Sequence, residues 1–115
     1  MSKRTSNLLL EDILEAIKAI RVYTTGLSFA EFFQDRKTQD AVVRNFEVIG
    51  EAANKLPSSL TKQYPEVDWS AIVGFRNILI HEYFGIDYQL VWYIIQHQML
   101  ALEEQIQYIV KTQST

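Results

Sequence analysis

Apolar residues recur every three or four positions along most of this chain, the spacing that gathers them on one face of an α-helix. The first such stripe consists of Leu10, Ile13, Ile17, Ile20 and Thr24. A second stripe consists of Val42, Phe46, Ile49, Ala53 and Leu56. No segment shows the sustained apolar–polar alternation of a half-buried strand. The pattern therefore predicts an all-α fold.

Residues that start and stop helices divide this pattern into four long helices. Gly26 and Gly85 stand where helices commonly end, and Pro57 disfavours helical backbone at the residue before it. Asp68 and Asp87 precede apolar stripes and are typical N-cap residues. The predicted long helices cover residues 6–24, 35–56, 68–84 and 87–110.

Weaker signals describe the segments between and after the long helices. Ser28 and Glu31 have the spacing of a capping box and open a short helical turn. Residues 58–65 form a connector, and residues 111–115 form a tail that frays. The 115 residues are the size of one domain, and the loops are short. We therefore expect residues 1–115 to fold as a single antiparallel helical bundle.

The last predicted helix carries apolar residues on more than one face. Its expected core residues are Val91, Ile94, Ile95, Leu102, Ile106 and Ile109, with Met99 and Trp92 on a second face. An apolar surface wider than one stripe indicates burial on two sides. We therefore expect the extra face to contribute to a homodimer interface.

The composition excludes several classes of protein. The chain has no cysteine, which rules out disulfides, thiolate metal sites and a cysteine nucleophile. The apolar run at residues 8–10 is followed at once by Glu11 and Asp12, unlike the core of a signal peptide. No stretch approaches the roughly 20 apolar residues that span a bilayer. We expect a cytoplasmic protein without membrane contact.

The net charge of −3 does not favour a protein that attracts a polyanion over its whole surface. If the chain binds RNA, its positive charge must be concentrated locally. Arg36, Lys37 and Arg44 could form one such patch, although three cations on a helix are more often a solvated face. The sequence leaves both interpretations open.

Known metal and nucleotide motifs are absent from the sequence. A di-metal carboxylate site in a helical bundle uses Glu-x-x-His pairs, and neither His81 nor His97 follows a glutamate at that spacing. There is no glycine-rich phosphate loop, nucleotide fingerprint or zinc pattern. We therefore predict neither a metal site nor a cofactor. His97, in the middle of a helix, is most simply a hydrogen-bonded or interface histidine.

One short segment collects the side chains best suited to catalysis. Arg76, Asn77, His81 and Tyr83 lie within it beside an apolar run. With ~100° between neighbours on an ideal helix, all four fit within an arc of roughly 160°, and Tyr83 lies almost in line with Arg76. Arg76 and His81 are ~140° apart. A single helix therefore does not bring both side chains onto one phosphate. A second copy of the helix, related by a two-fold axis, could bring the arginine of one copy closer to the histidine of the other.

These side chains suit the cleavage of RNA without a metal ion. Histidine exchanges protons near neutral pH, and arginine can hold a phosphate through two parallel hydrogen bonds. RNA supplies its own nucleophile, the 2′-hydroxyl. The alternative is structural, with an Arg–Glu ion pair and a histidine that caps a helix end.

The spacing of Arg76, His81 and Tyr83 resembles the signature of the HEPN superfamily, in which arginine, four residues, histidine, one residue and tyrosine follow each other. Asn77 matches the asparagine that commonly follows that arginine. The surroundings resemble one branch, the HepT-like toxins, at residues 44–52, at Trp69 and at residues 85–87. The resemblance covers residues 8–109, almost all of the chain.

This resemblance implies a HEPN-like helical homodimer with a metal-independent endoribonuclease site. Arg76 and His81 would be the catalytic pair, contributed to a cleft that both subunits share, and Asn77 would support them. Such toxins accompany a minimal nucleotidyltransferase antitoxin of the MntA type, in a type VII-like toxin–antitoxin system. The resemblance implies that this antitoxin neutralises the toxin by attaching AMP to Tyr83.

A second function, from a different class, is also compatible with the sequence. The chain could be a non-catalytic helical partner that binds or regulates a minimal nucleotidyltransferase. Arg76 and His81 would then be contact residues only. The two interpretations differ in whether His81 is needed for toxicity.

Overall fold

The computed structural model describes residues 4–113, which fold into seven α-helices and one 3₁₀ turn without any strand. The elements are α1 (Ser6–Thr24), α2 (Phe29–Gln34), α3 (Arg36–Lys55), α4 (Ser58–Thr61), α5 (Trp69–His81), the 3₁₀ turn (Tyr83–Gly85), α6 (Tyr88–His97) and α7 (Met99–Gln113). The all-α bundle predicted from the sequence is confirmed.

The helix starts predicted from polar residues are present. Asp68 and Asp87 each accept a hydrogen bond from a backbone N–H three residues later, at 3.0 and 3.1 Å. Ser28 and Glu31 form the complete, reciprocal capping box. After α1, Gly26 has a φ of +82°, a left-handed conformation that favours glycine.

The core lies between α1 and α3, which pack along most of their length. Helix α7 covers the other side of α1, and α5 covers the other side of α3. The completely buried side chains include Leu10, Ile13, Ile17, Ile20, Val42, Ile49, Ile106 and Ile109. Leu79 is the most deeply buried residue of α5. Residues 69 and 72–76 are half-buried and the remaining residues are exposed, so α5 is an outer helix.

Two predicted helix boundaries are wrong. Helix α5 ends at His81 rather than Phe84, because Glu82 leaves the helical region (φ −116°, ψ 41°) and the chain tightens into the 3₁₀ turn. The predicted last helix is divided at Gln98, where φ is −123°. The bend lets α6 pack on α2 while α7 packs on α1. Neither proline nor glycine marks this position in the sequence.

The apolar residues of the last two helices pack mainly against other helices of the same chain. Val91, Ile95, Ile106 and Ile109 are buried as predicted, whereas Ile94 and Leu102 are half-buried. The two residues predicted to form a second face also find partners inside the chain: Met99 is 2% exposed and Trp92 packs on Phe32, with ring centroids 5.1 Å apart.

The end of α7 extends further than predicted. Residues 111–113 are helical, so the expected fraying is wrong for these three residues, and residues 114–115 lie outside the described part of the chain. Between residues 4 and 113, no helix combines the length and the apolar character needed to cross a membrane.

Candidate active site

Helix α5 is held on the bundle by contacts at both ends. At its start, the indole N–H of Trp69 donates a hydrogen bond to the backbone oxygen of Tyr64 at 3.0 Å. Further along, Phe75 packs edge-on against Phe46 of α3 with ring centroids 5.2 Å apart, and Leu79 is 1% exposed. These contacts fix the helix that carries Arg76, Asn77 and His81.

Helices α3 and α5 are in close contact at Gly50. A β-carbon at this position would lie 2.2 Å from Cβ of Arg76 and 2.7 Å from its Cγ. Such distances do not occur between real carbon atoms, so α5 can occupy its place only because residue 50 has no side chain. The stem of Arg76 therefore rests directly on the α3 backbone.

The charged end of Arg76 is held without a carboxylate. Its Nη1 donates to Oδ1 of Asn77 at 3.1 Å. Its Nε is buried and has no hydrogen-bond partner among the described residues. No ion pair within residues 4–113 includes this arginine. The structural alternative, an Arg–Glu pair, is therefore not what the described residues form.

His81 is the last residue of α5, and its side chain is exposed. No hydrogen bond connects it with Arg76 or with any other residue in the described part of the chain. Asn77 and Arg76 are thus brought together within one chain, whereas Arg76 and His81 are not. This agrees with the wide angle between them on the helix.

Tyr83 lies outside α5, in the 3₁₀ turn. Its ring is 49% exposed and meets Phe84 edge-on at 5.4 Å. The expectation that Tyr83 aligns with Arg76 along one continuous helix is therefore wrong, because the helix ends two residues earlier. The turn instead directs the Tyr83 ring towards α3.

A small pocket of about 190 Å³ lies beside Tyr83, between α3 and the start of α6. Asp40, Arg44 and Glu47 line one side, and Tyr88 lines the other. Burial and the nearby Asp40 raise the pKa of Tyr88, with a smaller contribution from Tyr83 in the same direction and an opposing one from Arg36. Glu47 and Tyr88 could not be recognised as site residues from the sequence, because their proximity depends on how the turn folds back onto α3.

The other residues considered from the sequence do not form a separate site. Arg36 and Arg44 each have a carboxylate 3.9 Å away, on Asp40 and Glu47, which partly neutralises these two cations and favours the solvated-face interpretation over a basic patch. The ring of His97 lies 4.4 Å from that of Tyr93. Residues 4–113 contain no cluster of three or more histidine and carboxylate side chains that could hold a metal ion.

The all-α bundle, with its Arg-x₄-His-x-Tyr segment at the end of an outer helix, defines a HEPN-type protein. The sequence model of the family described as "Ribonuclease HepT-like" matches residues 13–109. The chain therefore belongs to the HepT-like ribonuclease family.

Named relatives of this chain agree with that assignment. A Methanocaldococcus jannaschii protein named "Putative RNase" is 41% identical over 96% of this chain and 92% of its own length. The "Probable ribonuclease HepT" of Thermococcus cleftensis is 39% identical over 88% of this chain and 92% of its own length. A "Putative RNase" of Caldanaerobacter subterraneus is 37% identical, covering 89% and 91%. No solved structure gives a significant match.

The contact at Gly50 generates a testable prediction. Gly50→Ala should separate α3 from α5 and displace Arg76, and it should lower the free energy of unfolding by about 1–3 kcal/mol, as overpacking does. The matched control is Gly74→Ala on α5, where a β-carbon meets nothing within 4 Å. This second change should stabilise the helix by roughly 0.5–1 kcal/mol.

Urea unfolding of both variants measures the two effects. If Gly50→Ala is as stable as the parent chain, the close approach of the two helices is not a constraint on the fold.

Proposed function

We propose that this protein is a metal-independent endoribonuclease and the toxin of a type VII-like toxin–antitoxin system. The main support for the proposal is the environment of Arg76. Its side chain is positioned by Gly50 and Asn77 and has no carboxylate partner among the described residues. An arginine in this state is suited to binding a phosphate. Membership of a ribonuclease family and the names of the relatives support RNA as the substrate.

The proposed reaction uses the 2′-hydroxyl of RNA as the nucleophile. Its oxygen forms a bond to the adjacent phosphorus while the bond from phosphorus to the 5′-oxygen breaks. His81 takes the proton from the 2′-hydroxyl and returns a proton to the departing 5′-oxygen. Arg76 stabilises the negative charge that develops on the phosphorane oxygens. The products are a 2′,3′-cyclic phosphate and a 5′-hydroxyl.

The proposal includes a homodimer in which the catalytic groups face each other. Several apolar side chains close to His81 in the chain are exposed, and Phe84 is completely exposed. Ile78 and Ile80 of α5 are 50% and 42% exposed. Ile78 lines a cleft of about 780 Å³ between α5 and the α6–α7 bend. Exposed apolar side chains beside a cleft of this size are typical of a protein–protein interface.

Regulation by AMP attachment to Tyr83 is a further part of the proposal. The side chain is half-exposed at the protein surface, two residues beyond His81. AMP on its hydroxyl would add a negative phosphate and a bulky nucleoside beside the proposed site. This charge would repel the RNA backbone. The enzyme that attaches it would be an MntA-like nucleotidyltransferase antitoxin.

The alternative is a non-catalytic partner of that transferase, since the same apolar surface could bind it.

Purified protein should cleave RNA in the presence of a chelator and leave 2′,3′-cyclic phosphate ends. His81→Ala should lower the rate by roughly 10²–10⁴-fold, the usual contribution of an acid–base group. Activity that chelation abolishes and magnesium restores would refute the mechanism, and a wild type that cleaves no RNA would favour the partner.

Subunit sharing can be tested with two inactive variants. Arg76→Ala and His81→Ala should each be inactive as homodimers. Co-expressed with different tags and purified through both, they form a heterodimer with one intact arginine and one intact histidine on different subunits. Recovered cleavage is expected if the pair acts across the interface. A heterodimer as inactive as its parents would assign both groups to one subunit.

The proposed off-switch is tested by co-expression with an MntA-like nucleotidyltransferase. Intact mass should show AMP additions that map to Tyr83 and disappear in Tyr83→Phe. Tyr93→Phe is the matched control, because Tyr93 is also about half-exposed, at 52% against 49%, but lies on α6. If the antitoxin neutralises Tyr83→Phe as well as the wild type, inhibition must come from binding alone.

A further inference from the structure

The pocket beside Tyr83 is built mainly from polar and aromatic side chains. Its volume of about 190 Å³ suits one planar ring system and not a whole nucleotide. Tyr83 stands at its exposed edge, while Tyr88 is half-buried and packs edge-on against Phe32, with ring centroids 6.1 Å apart. Val43 and Ile86 provide apolar contact. Aromatic and apolar walls of this kind favour an unstacked nucleobase.

The acidic residues in the pocket retain free hydrogen-bonding capacity. The nearest cation to Glu47 is Arg44, at an N–O distance of 3.9 Å, which is beyond a normal hydrogen bond. The side chain of Glu47 is only 23% exposed. Glu47 lines the pocket, and its carboxylate has two acceptor oxygens that a ligand there can use.

The bases differ in how well they satisfy such a carboxylate. Guanine presents two adjacent donors, N1–H and the N2 amino group, which match the two oxygens. Adenine and cytosine place an acceptor nitrogen beside their amino group, and uracil has one N–H between two carbonyl oxygens. The Tyr88 hydroxyl, whose pKa is raised mainly by burial and by Asp40, remains protonated and can donate to a base carbonyl.

The pocket adjoins the residues proposed to bind the cleaved phosphate. Glu47 and Gly50 are three residues apart on α3, an axial distance of ~4.5 Å, and Gly50 touches the stem of Arg76. On the other wall, Tyr83 follows His81 by two residues. A base in the pocket would therefore belong to a nucleotide next to the phosphate that Arg76 holds.

We propose that this pocket is a base-specificity subsite that selects guanine, through the Glu47 carboxylate, at a position next to the cleaved phosphodiester of single-stranded RNA. The position relative to cleavage rests on the proposed function. The recognition of guanine does not, because the base of a mononucleotide can occupy the pocket without any cleavage of RNA.

Binding is tested by NMR titration of the full chain with 5′-monophosphates. Inosine differs from guanosine only in lacking the N2 amino group. GMP should bind roughly tenfold more tightly than IMP or AMP, within the range expected for one bidentate base contact. Glu47→Gln should remove this preference, since an amide cannot accept both hydrogen bonds. Glu51→Gln should keep it, because Glu51 lies one turn further along α3, outside the pocket, and pairs with Lys55.

Equal binding of GMP, IMP and AMP by the wild type would overturn the subsite, as would an unchanged preference in a folded Glu47→Gln variant. Cleavage of a randomised RNA pool separates this result from the proposed function. Cleavage sites that show no enrichment of guanine would refute the subsite but leave the proposed ribonuclease activity intact. Selective GMP binding without any cleavage would refute the nuclease while recognition of guanine stands.

Discussion

Helices α3 and α5 meet at Gly50 with no space for a side chain, and both the fold and the proposed site depend on this contact. Other contacts of α5 with the bundle include the Trp69 hydrogen bond, the ring contact of Phe75 with Phe46 and the buried Leu79. The aliphatic stem of Arg76 is part of the packed surface, because its Cβ and Cγ lie against the α3 backbone. The same contact that attaches α5 to the bundle therefore sets the position of the arginine.

This positioning is what makes the proposed RNA site compatible with an acidic chain. The net charge is −3, and the arginines at 36 and 44 each have a carboxylate nearby. Arg76 instead donates to the neutral amide of Asn77, and its buried Nε lacks a partner among the described residues. An uncompensated buried donor costs free energy. An arginine that keeps such an unpaired donor and has no carboxylate partner is suited to binding a phosphate.

The sequence predicted what depends on local signals and missed what depends on contacts between distant segments. Asp68, Asp87 and the Ser28–Glu31 box cap their helices as expected, because capping involves neighbouring residues. No proline or glycine indicates the bend at Gln98 in the sequence. The bend follows from the packing of α6 and α7 on different helices. The motif residues could be named from their spacing, but the contact of residue 50 with residue 76 requires the folded arrangement of two helices.

The early end of α5 changes how modification of Tyr83 would act. On a continuous helix its hydroxyl would lie over Arg76, and AMP would compete with the scissile phosphate directly. The backbone turn at Glu82 (φ −116°, ψ 41°) instead brings Tyr83 to the pocket that Glu47 and Tyr88 line. A nucleoside attached there would stand at the mouth of the proposed guanine subsite. Inhibition would then arise because the RNA loses its base contact and because the added phosphate repels its backbone, even though Arg76 keeps its place on α3.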